Sequence, residues 1–183
     1  MRRAGLPLAY TQGFHPGPKI QIAAALPLGF IGLAEVVDLW VNSEETDKSN
    51  LNGYIEKLQA NTPPGLKIID IELVEDRAPA LQTRVTAAEY QVTFLDGPPE
   101  FDLGTRVKEF LAKTSLLRVR RGKPYDLRLL IQSLDHREAG LRMILSARES
   151  ATGRPEEVLA ELGIPVEMTR IERIRLILRD VEE

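Results

Sequence analysis

The chain has 183 residues and no cysteine. That absence excludes disulfides, thiolate zinc sites, a cysteine nucleophile and any cysteine-ligated iron–sulfur cluster on this chain. Histidine is nearly absent as well. His15 and His136 are the two present, too few for a histidine-rich metal site. No apolar run reaches the roughly 18 residues that a membrane-spanning helix needs. After Arg2 and Arg3 the N-terminus continues with Pro, Tyr, Gln and His rather than an apolar core, which is not the pattern of a secretory signal. Acidic residues are missing from the start, since none precedes Glu35. These absences lead to the expectation of a soluble cytoplasmic protein with no cofactor of its own.

What is present describes a folded protein. The apolar share is 43%, close to that of globular chains. Thirteen glycines and twelve prolines point to many short elements joined by turns. Basic and acidic residues nearly balance, 24 against 27. A dedicated nucleic-acid binder is usually more basic, so any such role would rest on local patches.

Alternation predicts strands at Ile20–Leu26, Glu35–Val41 and Ile69–Leu73, because apolar residues at every second position line one face. Between them Leu51, Tyr54, Ile55 and Leu58 form a helical stripe, with Ser49 or Asn50 as its cap and Pro63-Pro64-Gly65 as its stop. A new unit then begins. Tyr90, Val92 and Phe94 predict a strand, and Leu103, Val107, Phe110 and Leu111 a helix. Leu117 and Val119 alternate with Arg118 and Arg120, and Leu127–Leu134 with Leu141–Ala147 reads as a hairpin. Pro155, Glu156, Glu157 and Gly163 punctuate a last helix, since proline and glutamate favour its first turn. Residues 169–181 fit either period, with Ile174, Leu176 and Leu178 favouring a strand. The expected fold is α+β: two tandem ferredoxin-like βαββαβ units with antiparallel sheets, the first incomplete. The expected boundaries are residues 1–76, a linker at 77–86, and residues 87–183.

The opening segment, Arg3-Ala-Gly-Leu-Pro-Leu-Ala-Tyr-Thr-Gln-Gly-Phe-His-Pro-Gly-Pro-Lys-Ile20, resembles the core motif of an uncharacterised bacterial family, the radical SAM-linked domain of unknown function. Ala25-Leu-Pro-Leu-Gly29 and Ala34-Glu35 to Asp38 continue the match. Weaker matches are Pro64-Gly65-Leu66, Ala87-Ala88-Glu89-Tyr90 and Arg154-Pro155-Glu156-Glu157-Val158-Leu159. The resemblance implies a partner, a radical S-adenosylmethionine protein fused to or encoded beside such domains, and leaves the activity open. It also implies an N-terminally shortened member, because relatives carry a further strand, loop and helix before the motif. The segment order is similar to RNA-processing proteins of CRISPR systems, a fold-level analogy.

Two groups of residues are candidates for binding. The first is Arg2, Arg3, Tyr10, Gln12, Phe14, His15 and Lys19, basic and aromatic residues around a Gly/Pro-rich loop that suit phosphate or single-stranded RNA. The same residues equally suit a solvated helix end and a rigid turn. The loop lacks the spacing of a phosphate-binding glycine fingerprint. His15 is a weak candidate for acid/base catalysis, since no second histidine or paired carboxylate accompanies it in sequence. The second group is Arg118, Arg120, Arg121 and Lys123, a basic strand face beside Tyr125 that acidic neighbours could neutralise. RNA is therefore a second expected partner, and a CRISPR-endoribonuclease-like activity through His15 is the alternative. No metal site and no membrane contact are expected.

Overall fold

The computed structural model describes residues 2–180, apart from Ser43, Glu45, Lys48 and Asp76 and the side chain of Arg2. In chain order the strands and helices are β1 (Ile20–Ile22), β2 (Ile31–Gly32), β3 (Val37–Leu39), α1 (Leu51–Gln59), α2 (Leu81–Arg84), β4 (Val85–Phe94) and α3 (Leu103–Ala112). Then follow β5 (Leu117–Arg120), β6 (Lys123–Asp126), β7 (Ile131–Arg137), β8 (Gly140–Arg148), β9 (Ala151–Thr152), α4 (Pro155–Leu162) and β10 (Thr169–Leu178). The fold class is α+β. Among the described residues no helix is long and apolar enough to cross a membrane.

The chain forms two compact units, which do not follow each other as simple blocks. One holds residues 1–22 and 37–81; the other holds 23–36 and 82–183.

In the first unit β1 pairs with β3 antiparallel, Ile20 opposite Leu39 and Ile22 opposite Val37. Asn50 caps α1, its side chain accepting the Gly53 amide at 3.0 Å. Buried apolar residues are few: Ala4, Leu8, Leu58 and Leu81 among those described. The third expected strand does not form. Ile69–Leu73 has no regular structure, although its alternation is that of a strand. Alternation shows which face a strand would bury but supplies no neighbour to pair with. This unit therefore has a two-stranded ribbon and a helix where an incomplete ferredoxin-like copy was expected.

The second unit is built on a sheet of order β2-β10-β4-β8-β7, with β9 on the end of β8. The β2–β10 pair is parallel and the others are antiparallel. Within β4-α3-β7-β8-α4-β10 the strands lie in the order last, first, third, second. Registers put Tyr90, Val92, Leu134, Leu141, Met143, Leu145 and Ile171 on one face, all buried. Leu103, Val107 and Phe110 of α3 and Val158, Leu159 and Leu162 of α4 are buried too. The ambiguous residues 169–178 are strand. Arg118-to-Asp126 forms more than expected: β5 turns at Arg121-Gly122 into β6. The expected strand at Leu127–Leu134 starts as a short 3-10 turn, Arg128–Leu130, before β7.

A candidate binding loop

Residues 8–19 form a closed tongue. Leu8 bridges Val41, and Tyr10 bridges Pro18. The Thr11 amide donates to the Gly17 carbonyl at 2.8 Å, and the Gly17 amide returns to Thr11 Oγ1 at 3.0 Å. At the base, the Lys19 amide donates to Ala9 O at 2.8 Å and the Ala9 amide to Trp40 O at 2.7 Å. Gly13 has φ +133°, which side chains rarely adopt, so glycine lets the tip reverse. Pro16 and Pro18 restrict the return. The sequence thus makes a short loop whose ends are fixed by backbone bonds.

This tongue carries most of the first candidate group. Phe14 is fully exposed, and Gln12, His15 and Lys19 are exposed with it. Tyr10 is 40% exposed at the base. Arg3 is exposed in the opening turn; the Arg2 side chain lies outside the described residues. His15 makes no hydrogen bond or ion pair to any described residue. Among the described residues no group of three or more His, Asp or Glu could hold a metal ion. The tongue thus presents a fully exposed aromatic ring and, on the same loop, the exposed side chains of Gln12, His15 and Lys19.

The second candidate group divides. Arg120 is bidentate on Glu157 of α4, Nη2 to Oε2 at 2.6 Å and Nε to Oε1 at 3.2 Å. Its Nη1 donates to Thr152 O at 2.8 Å, and its guanidinium lies 4.6 Å from the Tyr125 ring centre. Arg118 pairs with Glu161, one turn further along α4. These two arginines are committed to the helix, so the strand face is not a free basic platform. Arg121 and Lys123 at the tip remain exposed. The signal for this pairing lay in α4, where Glu157 and Glu161 stand four apart on one helix face.

A third arrangement went unseen in the sequence. Arg173 of β10, its side chain only 3% exposed, donates Nε to Glu35 Oε1 at 2.8 Å and Nη2 to Glu35 Oε2. The same guanidinium reaches Ala24 O at 2.9 Å and Ala25 O at 3.2 Å. Burial opposes its charge, but the Glu35 bond and charge outweigh that and raise its pKa. Phe30 meets Tyr90 edge-on, centroids 6.2 Å apart, and burial raises the Tyr90 pKa. Gly32 passes close beside Glu35; a methyl there would fall 2.7 Å from the carboxylate side chain. Residues 23–36 are thereby strapped to β10. The available signal was that Glu35 is the first acid in the chain, following a segment dense in apolar residues.

On the other face of the same sheet Glu89 is nearly buried between Arg142 and Arg175, each at 2.8 Å. The Arg142 hydrogen bond, joined by Arg175, holds the Glu89 carboxyl below its ordinary pKa although burial pushes the other way.

No curated protein and no solved structure matches the chain. One family model does, that of an uncharacterized protein conserved in bacteria (DUF2344), over residues 1–155. The match takes in the tongue, the strap, β4, α3 and the β5–β6 ribbon; the chain belongs to this conserved bacterial family.

Proposed function

We propose that this chain is a non-catalytic accessory domain, acting in the cytoplasm, that docks a radical S-adenosylmethionine protein through the Tyr10–Lys19 tongue. The observation that carries this reading is Phe14, a fully exposed aromatic on a loop whose ends are fastened. Keeping a phenylalanine in water forgoes about 2–3 kcal/mol that its burial would contribute. A fixed loop also loses little conformational entropy on binding. Gln12, His15 and Lys19, exposed on the same loop, would supply the polar rim of an interface. The β4–β10 run is then a ferredoxin-like scaffold, in keeping with its strand order, and the strap is part of its frame.

RNA recognition is the weaker reading. Its second patch keeps only Arg121 and Lys123 once Arg118 and Arg120 are paired with α4. Cleavage through His15 has no partner residue to support it. Co-purification of the full chain with a radical S-adenosylmethionine protein tests the proposal, with that protein's turnover measured in the presence and absence of the chain. Stable association is expected; absence of association with no effect on turnover overturns it.

A further inference from the structure

The β5–β6 ribbon has its polarity reversed. Its arginines face α4 and are paired there, while Leu117 and Val119 point outward, 79% and 71% exposed. Pro124, opposite Val119, is exposed with them. The ribbon has two strands, and among the described residues none forms an ion pair with Arg121 or Lys123 at its tip. Arg121 holds φ +51°, a conformation that residues with a Cβ rarely adopt. Proline removes a donor from β6, so an added strand pairs at the β5 edge.

The chain also contains a strand pattern with no strand to join. Ile69-Asp-Ile-Glu-Leu73 alternates aliphatic and acidic residues, and the run on to Glu75 contains no cation. Ile69, Leu73 and Val74 are exposed, and no described residue pairs with this backbone as a strand. Among the described residues its hydrogen bonds between Ile69 and Val74 reduce to the Ile71 amide donating to Asp70 Oδ1 at 2.8 Å.

We propose that Ile69–Glu75 of one copy of the chain adds as a third strand to the β5 edge of a second copy, and reciprocally, giving a twofold dimer. The two patterns match in sense. Ile69 and Ile71 would extend the Leu117/Val119 face, and the segment's acids would answer Arg121 and Lys123 at the turn, since Arg118 and Arg120 are already paired with α4. Backbone bonds supply the pairing, and alternate side chains the register. A twofold arrangement uses both contacts and leaves neither segment open to further copies. Nucleic acid fits this ribbon less well, because its exposed side chains are aliphatic and Tyr125 is occupied by Arg120.

The test is sedentation-equilibrium mass measurement of the full chain over a range of concentrations, by analytical ultracentrifugation. A concentration-dependent dimer is expected. Arg121→Glu with Lys123→Glu should weaken it at least tenfold, as should Asp70→Lys with Glu72→Lys, and the four changes together should restore it. The chain has no cysteine, so Ile71→Cys with Val119→Cys gives an independent readout that does not require the charge variants to fold: oxidation should yield a covalent dimer. A monomer at every concentration overturns the proposal, whether the ribbon then takes another protein or RNA. So does a dimer indifferent to both charge reversals, or failure of the cysteine pair to cross-link. The surface shares no residue with the tongue, so Phe14→Ala leaves this dimer intact, and the two proposals fail separately.

Discussion

Arg173 and Glu35 lie 138 positions apart in the chain and form a bidentate pair in which the arginine is buried and the glutamate stays in reach of water. Removing Glu35 would strand the Arg173 charge away from water. Glu35→Ala should cost about 3 kcal/mol of stability, read as a fall in the urea midpoint with an unchanged slope. Glu89 gives a pH-dependent counterpart. Its folded pKa is lowered, so its contribution is complete above the ordinary carboxylate value and is lost as pH falls through the depressed one. Thermal midpoints measured from pH 7 down to pH 3 should drop steadily in the acid range, and Glu89→Gln should flatten part of that drop. Neither role was legible from the sequence. A lone Glu after an apolar segment and an Arg in an alternating strand look like solvated charges until a long-range register sets them against each other.

At the scale of elements, what local chemistry decides was legible. Asn50 as a cap, Pro155 at the start of α4 and the β4 alternation all follow from residues within a few positions. Pairing was not, because it depends on which strands meet. Ile69–Leu73 has the pattern of a strand and no partner, whereas Lys123–Asp126, with a proline inside, became one because the Arg121-Gly122 turn brings it back onto β5. Alternation located Arg118 and Arg120 on one face but not the helix that faces them. The hairpin turn offers a direct check. Both its residues have positive φ, the geometry that favours Asn-Gly, and Arg121 occupies the first position. Arg121→Asn should raise stability by about 1 kcal/mol, seen as a higher thermal midpoint. A lower midpoint would show that the arginine makes a compensating contact in the folded chain.

For the molecule as a whole, the two units differ in how they are held. The second has a sheet with one buried apolar face and two helices whose stripes are also buried. The first buries few apolar residues among those described and leaves Ile20, Ile22 and Val37 of its ribbon exposed, as it does Phe14 of the tongue. A two-stranded ribbon is marginal by itself, and exposed apolar groups clustered on one unit mark a surface for association. The tongue was the part of the candidate site most legible in the sequence, because glycine, proline and an unbroken lack of acid are local features. Its partner is not written in those residues, since an interface is specified by two surfaces. The most direct measurement is calorimetric titration of a radical S-adenosylmethionine protein, the proposed partner, with the wild-type chain and with Phe14→Ala, both shown to melt at the same temperature. Docking through the tongue predicts at least tenfold weaker binding for the variant; equal affinity would contradict it.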